Sequence, residues 1–386
     1  MTVTTASGFR ASGVAAGIKA SGAPDLALVV NDGPIHAAAG VFTANRVKAA
    51  PVLWSQQVIE DGRLRAVILN SGGANACTGP DGFADTHKTA ERVAEVLNVG
   101  AIDVAVCSTG LIGERLPMPA LLGGVEVVAA ALAEGEVAGA SAAEAIRTTD
   151  SVAKTASLVH PDGWSVGGMA KGAGMLAPSL ATMLSVVTTD AIVEPDALNR
   201  ALRTAVATTF DRIDADGCMS TNDTVIAMAS GASQVAPETE DFVQALREVC
   251  QSLAMQLLAD AEGATKEVEI QVVGAADEDD AVEVGRAIAR NNLLKCALFG
   301  NDPNWGRVLA AIGTTKAEFE PDELDVAING VLVCRGGAAG EDRSLVDLSG
   351  RKVVITADLH AGNVAATVYT NDLSHAYVEE NSAYSS

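Results

Sequence analysis

The stretch Lys171–Leu184 reads KGAGMLAPSLATML and is the most informative part of the chain. A glycine-rich approach leads to the small dipeptide Ala181-Thr182, and the apolar run TMLSVV is typical of a buried strand. A threonine hydroxyl there can attack the preceding carbonyl carbon and convert the peptide bond to an ester. After hydrolysis Thr182 would be a new N-terminus, whose α-amine serves as base for its own hydroxyl. Taken alone, the stretch predicts either an ordinary strand residue or a self-cleaving N-terminal nucleophile.

Composition and charge narrow the class of protein. The chain has 386 residues, of which 48% are hydrophobic, so it can form a large core and two domains. Its net charge is −23 and its few Lys and Arg residues are scattered, which argues against a nucleic-acid partner. The N-terminal segment has no continuous apolar region, and no run approaches the roughly 20 apolar residues that a membrane helix needs. We expect a cytoplasmic protein without membrane or nucleic-acid partners.

Cysteine and histidine spacing gives no support for a metal site. The six cysteines include no C-x-x-C pair, and the five histidines show no H-x-x-x-H or H-E-x-x-H spacing. Most of the cysteines lie in apolar segments, which favours buried thiols over disulfides. The sequence therefore predicts neither a metal nor a disulfide.

Hydrophobic periodicity predicts a mixed α/β fold. Apolar residues recur three or four apart in five segments, which we expect to be helices: Ala84–Leu97, Pro117–Ala133, Pro195–Thr208, Thr239–Ala261 and Asp279–Arg290. Runs rich in Val and Ile predict strands at Ala66–Leu69, Val104–Cys107, Thr182–Val187, Glu267–Val273, Glu323–Ile328, Val331–Cys334, Val353–Ala357 and Val364–Tyr369. Asn329-Gly330 favours a tight hairpin turn, because both central positions of a type I′ turn need positive φ. Strands cluster toward the C-terminus, so antiparallel pairing in an α+β-like arrangement fits better than a doubly wound sheet.

Several polar loops could carry chemistry. Cys107-Ser108-Thr109-Gly110 follows a predicted strand, and its backbone N–H groups and threonine hydroxyl could stabilise an oxyanion; an ordinary strand-to-loop turn is the alternative. Lys171 is followed by Gly172 and Gly174, on which a loop could turn, but the spacing of a phosphate-binding loop is absent there. Taken one at a time, these loops favour structural roles.

Seven motifs of this chain, taken together, resemble those of a known family. KGAGMLAPSLATML, CSTG, NSGGANACTG, STNDT, DAEGATK, FGNDPNWGR and the terminal YVEENSAYSS occur in order along the whole chain. They resemble the ornithine acetyltransferase family, also called bifunctional glutamate N-acetyltransferase, of arginine biosynthesis. The segment before Ser220, which reads FDRIDADGCM, departs from the family pattern. The resemblance implies the family's fold, with two sub-domains of mixed sheets and flanking helices.

The resemblance also implies self-cleavage between Ala181 and Thr182. Residues 1–181 would then form an alpha chain that carries the oxyanion hole, and 182–386 a beta chain that starts with the nucleophile Thr182 and ends in a substrate-binding tail. Thr109 and Gly110 match the family's oxyanion-hole pair. The positions that match substrate-binding residues are Thr148, Lys171, Thr182, Glu262, Asn381 and Ser386. Thr149 remains an alternative to Thr148, because loop length varies just after this point.

The implied activity is acetyl transfer from N2-acetyl-L-ornithine to L-glutamate by a ping-pong mechanism through an acetyl-Thr182 ester. The resemblance implies no bound cofactor, and it leaves open whether acetyl-CoA also serves as a co-substrate. It further implies alpha and beta chains assembled as a heterotetramer of two of each. Two other readings stay open: a self-processing N-terminal-threonine aminopeptidase or amidohydrolase, and a non-catalytic binding protein.

Overall fold

The structure, a computed structural model, describes residues 1–176 and 183–383. Ala181, Thr182 and Ser386, which the sequence singled out, lie outside the described residues. The chain forms two compact units. The first contains Met1–Asp211 and Cys218–Asp260, and the second contains Arg212–Gly217 and the chain from Ala261 onward.

The first unit is built on two mixed sheets. Its strands are β1 (Phe9–Val14), β2 (Leu26–Asn31), β3 (Ala37–Phe42), β4 (Ala66–Ser71), β5 (Val104–Thr109), β6 (Lys154–Val159), β7 (Ser165–Lys171), β8 (Leu184–Thr189) and β9 (Thr224–Ala229). Its helices are α1 (Ala50–Val58), α2 (Gly79–Leu97), α3 (Met118–Ala130), α4 (Glu136–Ala145), α5 (Pro195–Ala207) and α6 (Thr239–Ala259). The sheet orders are β1-β2-β4-β5 and β3-β9-β8-β7-β6, with β4–β5 and β8–β9 parallel and the other neighbours antiparallel.

Burial explains why the sequences of five strands in the first unit are mostly apolar. Every residue of β2, β4, β5, β8 and β9 is buried. Both faces of each strand are covered, so the side chains are apolar without a two-residue alternation. One apolar core cluster draws on β2, β4, β5 and β8 together with α2, α3 and α4. The end of one of these strands, β5, carries Thr109 of the candidate site.

The second unit has one six-stranded mixed sheet in the order β13-β12-β11-β14-β10-β15. Its elements are β10 (Glu267–Ala275), α7 (Glu278–Ala289), α8 (Asn292–Phe299), α9 (Trp305–Ile312), β11 (Asp325–Ile328), β12 (Val331–Arg335), β13 (Ala338–Ala339), β14 (Lys352–Asp358), β15 (Val364–Asn371) and α10 (His375–Ala383). Burial alternates along β10 and β14, because one face packs on the core and the other does not. Helix α7 packs on β10 and β15.

The mixed α/β prediction is confirmed, and so are the five predicted helices to within a few residues, except that α2 begins at Gly79. The hairpin is also confirmed: Asn329 and Gly330 have φ of 47° and 82°, and Ile328 pairs with Val331. Strands β1–β3, β6, β7, β9 and β13 were not predicted. Strand β7 was hidden by its small residues, which the packing requires: a Cβ on Gly167 would lie 2.3 Å from the Thr2 carbonyl oxygen.

The cysteine prediction is only partly right. In the described part of the chain the six cysteines form no disulfide; Cys107, Cys250 and Cys334 are buried, but Cys77, Cys218 and Cys296 are exposed. These three lie in a loop, in a second loop and on an outer helix face, where apolar neighbours in sequence do not enclose them. Within 1–176 and 183–383, no group of three or more His, Cys, Asp or Glu side chains is arranged to hold a metal ion. No helix of this described part is both long and apolar enough to cross a membrane.

A glycine turn holds the last helix in the second unit. Gly263 has φ of +63°, and a Cβ at this position would lie 2.2 Å from the Tyr377 backbone nitrogen in α10. Ser374 Oγ donates a hydrogen bond to the Gly263 carbonyl oxygen at 2.5 Å. The turn that contains Glu262 therefore packs directly against the first turn of α10, and only glycine allows so close an approach.

We expect Gly263→Ala to loosen α10, and Gly330→Ala is the matched control. Both glycines have positive φ, but nothing lies within 4 Å of a Cβ at Gly330. Gly330→Ala should cost about 1–2 kcal/mol of unfolding free energy for the left-handed backbone. Gly263→Ala should cost about 1–3 kcal/mol more because of the clash. Urea unfolding gives the two values, and limited proteolysis should cut the Gly263 variant near residue 375; equal losses would contradict the docking.

Candidate active site

The end of β5 presents a threonine at a crowded turn. Thr109 is the last residue of β5, and Gly110 leaves the strand with φ of +134°. A Cβ on Gly110 would lie 2.4 Å from the Gly73 nitrogen, and Gly73 donates a backbone hydrogen bond to the Thr109 carbonyl oxygen at 3.0 Å. The loop after β4 thus packs on the exit of β5, so position 110 needs glycine.

Lys171, the last residue of β7, points its ammonium at two threonine hydroxyls. The residue is 1% exposed; its Nζ donates to Thr148 Oγ1 at 2.7 Å and to Thr109 Oγ1 at 3.4 Å. An ammonium group has only donors, so the Thr109 oxygen is the acceptor in this contact. The hydroxyl hydrogen of Thr109 can then be directed at a different acceptor, as an oxyanion donor requires. Of the two candidate threonines in the 148–149 pair, Thr148 is the one that Lys171 contacts.

A buried carboxylate compensates the charge of Lys171. Asp150 Oδ2 lies 3.8 Å from Lys171 Nζ and accepts the Thr148 N–H at 3.0 Å. Asp150 Oδ1 accepts hydrogen bonds from Lys154 Nζ and from the Gly172 N–H, each at 2.6 Å. Burial alone would raise the pKa of Asp150, but the charges of Lys171 and Lys154 and these hydrogen bonds outweigh it and hold the pKa well below its ordinary value.

The second lysine of this cluster completes the charge balance. Lys154 is fully buried, and its Nζ also contacts Asp260 Oδ2 at 2.6 Å. Two ammonium groups therefore face two carboxylates, and each lies within an ion-pair distance of a partner. A buried cation persists only with such partners.

The polar knot Ser220–Asp223 connects the end of β5 to the start of β8. Asn222 Nδ2 donates to the carbonyl oxygens of Ala74 at 2.6 Å and Ser108 at 2.8 Å. Asp223 Oδ1 accepts the Met183 N–H at 3.0 Å. Neither this knot nor Asp150 was predicted to act in the site. The knot belongs to the STNDT motif and Asp150 follows the Thr148-Thr149 pair, but these patterns do not predict which atoms the two carboxylates hold.

The structure brings together Thr109, Gly110, Thr148 and Lys171 in the first unit. Leu184 pairs with Lys171 in the β7–β8 register, so the chain enters β8 beside this cluster. Thr182, two residues earlier, lies outside the described residues. Other predicted site residues belong to the second unit: Glu262 is 8% exposed in the turn before β10, and Asn381 lies on α10, where its Nδ2 donates to the Tyr377 carbonyl oxygen at 2.9 Å.

Comparison with known proteins places this arrangement in a family. The sequence model of the ArgJ family matches residues 10–386. The chain is 68% identical over 386 residues to the arginine biosynthesis bifunctional protein ArgJ of Streptomyces avermitilis, and the match covers 100% of both chains. It is 62% identical over 389 residues to the protein of the same name from Mycobacterium tuberculosis, over 100% of this chain and 96% of the relative. Among solved structures, it is similar to the bifunctional ArgJ protein of Bacillus halodurans, at 36% identity and a TM-score of 0.50, over 52% of this chain and 98% of that chain.

These findings define an acyltransferase of arginine biosynthesis. The chain belongs to the ArgJ family, the ornithine acetyltransferase family that its motifs predicted. The prediction that it is an enzyme of the glutamate N-acetyltransferase type is confirmed.

We expect Asp150→Asn to destabilise the first unit. Removing this carboxylate leaves the two buried ammonium groups with one carboxylate, that of Asp260, where there were two, and breaking a buried pair costs about 3–5 kcal/mol. Because the pKa of Asp150 is lowered on folding, its contribution is present above the unfolded pKa of about 3.9 and is lost as pH falls further. Urea unfolding at pH 7 and at pH 3 should show a gap between variant and wild type that narrows at the lower pH. Asp81→Asn is the control, since its side chain is 77% exposed; a gap no larger than the control's would contradict the role of Asp150.

Proposed function

We propose that the chain cleaves itself between Ala181 and Thr182 and then uses Thr182 to move an acetyl group from N2-acetyl-L-ornithine to L-glutamate. The observation that carries the proposal is the contact of Lys171 with Thr109 and Thr148 beside the entry of β8. Thr182 is joined to Met183 by one peptide bond. The residue that matches the family's nucleophile is therefore linked through Met183 to β8, the strand that pairs with β7.

Acetyl transfer has two similar halves. In the first, Thr182 Oγ1 attacks the acetyl carbonyl carbon of acetylornithine, and the Thr182 α-amine takes the hydroxyl proton. The Thr109 hydroxyl and the Gly110 N–H donate to the oxyanion of the tetrahedral intermediate. The C–N bond then breaks, the proton passes to the departing amine, and ornithine leaves an acetyl ester on Thr182. In the second half the glutamate amine attacks that ester and regenerates the hydroxyl.

Substrate recognition follows from charge. Both substrates carry an α-carboxylate, for which the buried Lys171 ammonium and the Thr148 hydroxyl are suitable donors. The side-chain ammonium of ornithine needs an anion, and Glu262 supplies one. We assign Asn381 and Ser386 to the same substrate through the tail, whose helix α10 packs on the turn that carries Glu262.

The extent of the structural match supports cleavage. The solved Bacillus halodurans chain is covered over 98% of its length, yet it accounts for only 52% of this chain. Cleavage at the proposed bond would leave a beta chain of 205 of the 386 residues, which is close to this share. We infer that alpha and beta chains stay together as a heterotetramer in the cytoplasm. We further propose that no cofactor is bound and that acetyl-CoA, as the word bifunctional in the relatives' names suggests, is a second acetyl donor.

Parallel assays test the activity. Purified enzyme is given glutamate with either acetylornithine or acetyl-CoA, and acetylglutamate is measured. Transfer from acetylornithine supports the proposal, and transfer from acetyl-CoA adds the second activity. If acetylornithine is only hydrolysed and added glutamate diverts no acetyl group, the enzyme is a self-processing amidohydrolase and the proposed transfer is wrong.

We expect Thr182→Ala to abolish both cleavage and transfer, because the attacking hydroxyl is removed. Intact mass should give fragments of 181 and 205 residues for the wild type and one chain of 386 for the variant. Thr188→Ala, in the same strand and remote from the bond, is the control and should be cleaved. Two fragments from Thr182→Ala would show that another residue or a contaminating protease makes the cut.

We expect Thr109→Val to lower kcat more than it changes KM. Valine keeps the shape of threonine but removes the donor, and loss of one oxyanion donor lowers kcat about 10²–10³-fold. Thr109→Ser keeps the hydroxyl and should retain most of the activity. Steady-state kinetics with acetylornithine and glutamate give both parameters; an unchanged kcat for the valine variant would remove Thr109 from the oxyanion hole.

A further inference from the structure

Self-cleavage poses a proton problem that acetyl transfer does not. In the mature enzyme the α-amine of Thr182 moves the proton, but before cleavage that nitrogen is part of the Ala181-Thr182 peptide bond. An amide nitrogen is not a base and leaves only when it is protonated. The precursor therefore needs another group that takes the hydroxyl proton of Thr182 and gives a proton to its nitrogen.

Asp223 is placed for this task. Its Oδ1 accepts the Met183 N–H at 3.0 Å, and Met183 N is bonded directly to the carbonyl carbon of Thr182. The Thr224 N–H donates to the Met183 carbonyl oxygen at 3.1 Å. Met183, the residue after Thr182, is therefore held through its N–H by Asp223 and through its carbonyl oxygen by Thr224. Asp223 is thus fixed one peptide unit from the reacting residue.

The surroundings of the second carboxyl oxygen, Oδ2, indicate that Asp223 has a further role. Asp223 is fully buried, and its Oδ2 accepts no hydrogen bond of ordinary geometry from the residues that the structure describes. A buried polar atom without a partner is costly to keep, and in native proteins it calls for a specific cause. The neighbouring Asn222 differs from Asp223, because its side-chain amide donates hydrogen bonds to two carbonyl oxygens, those of Ala74 and Ser108.

The surroundings favour the neutral form of this carboxyl group. Complete burial raises the pKa of Asp223 well above its ordinary value. The Met183 N–H, the charge of Lys171 and the hydroxyls of Ser220 and Thr43 act in the opposite direction and do not overcome it. A neutral carboxyl group has an O–H donor and an acceptor oxygen with a second lone pair, so it can give and take a proton at once.

We propose that Asp223 is the proton relay of self-cleavage at Thr182, an inference that rests on the proposed function. Thr182 Oγ1 attacks the Ala181 carbonyl carbon while its proton passes to Asp223 Oδ1. The proton on Oδ2 passes to the Thr182 nitrogen, the C–N bond breaks, and an ester joins Ala181 to Thr182 Oγ1. Water then hydrolyses the ester and frees the Ala181 carboxylate and the Thr182 hydroxyl. Asp223 ends with one proton, as it began, and the new α-amine serves the later acetyl transfer.

The isosteric variant Asp223→Asn separates a relay from a structural role. Asparagine keeps an oxygen that accepts the Met183 N–H, but its amide cannot exchange protons with threonine. Chains pulse-labelled during cell-free synthesis are followed by gel and intact mass. We expect cleavage of Asp223→Asn to be slowed at least about 100-fold, as for loss of a general acid or base.

Asp190→Asn is the matched control. Asp190 is also buried, follows the opposite end of β8, and accepts hydrogen bonds from Ser165 N at 2.7 Å and Ser165 Oγ at 2.8 Å. This variant should cleave at the wild-type rate. Near-UV circular dichroism, compared with uncleaved Thr182→Ala, reports whether Asp223→Asn is folded.

The outcomes separate this inference from the proposed function. A folded, uncleaved Asp223→Asn beside a cleaved control supports the relay. Cleavage of Asp223→Asn at the wild-type rate overturns it and leaves the acetyltransferase untouched, whereas an intact wild type overturns the proposed self-cleavage. If Asp223→Asn does not fold, wild-type chains are pulse-labelled in H2O and in D2O. The relay moves two protons in the cleavage step, so the cleavage rate should be lower in D2O, and equal rates overturn it.

Discussion

The ion pair between Asp150 and Lys171 is the interaction on which the candidate site depends. Lys171 ends a fully buried strand, and an ammonium group in that position has a large desolvation penalty unless a carboxylate lies close by. Asp150 meets this need and also accepts the N–H groups of Thr148 and Gly172. The same carboxylate therefore fixes the Lys171 side chain, the backbone just after it at Gly172, and the backbone of Thr148.

The geometry of the threonine hydroxyls follows from that pair. With its charge compensated, Lys171 donates to Thr109 and Thr148 and orients both oxygens toward itself. Orienting a hydroxyl before substrate arrives is the preorganisation from which oxyanion stabilisation derives its strength. Thr109 is also held from the other side, because Gly110 and Gly73 allow two loops to approach closely. The site therefore combines two strand ends, at Thr109 and Lys171, with the loop that carries Thr148 and Asp150.

The Ser220–Asp223 knot adds a connection that acetyl transfer by itself does not require. Asn222 holds the carbonyl oxygen of Ser108, next to the proposed oxyanion donor, and Asp223 holds the residue after the proposed nucleophile. One four-residue segment thus contacts both β5 and the residue that precedes β8. The proposed self-cleavage and the proposed acetyl transfer each need a group that moves a proton, and we assign this segment to the first of them.

The sequence by itself determined the mixed α/β class, the long helices, the Asn329-Gly330 hairpin and the family, because these depend on local periodicity, turn chemistry and ordered motifs. It named Thr109, Thr148 and Lys171 but predicted no contact between them. Only the tertiary structure decided that Lys171 contacts both threonines, since residue 109 ends a strand of one sheet, residue 171 ends a strand of the other, and residue 148 lies in the loop between α4 and β6. It also revealed Asp150 and Asp223, whose roles arise from burial and from partners distant in the chain. Strand β7 illustrates the physical reason: its glycines look unsuited to a strand until the close contact with Thr2 is seen.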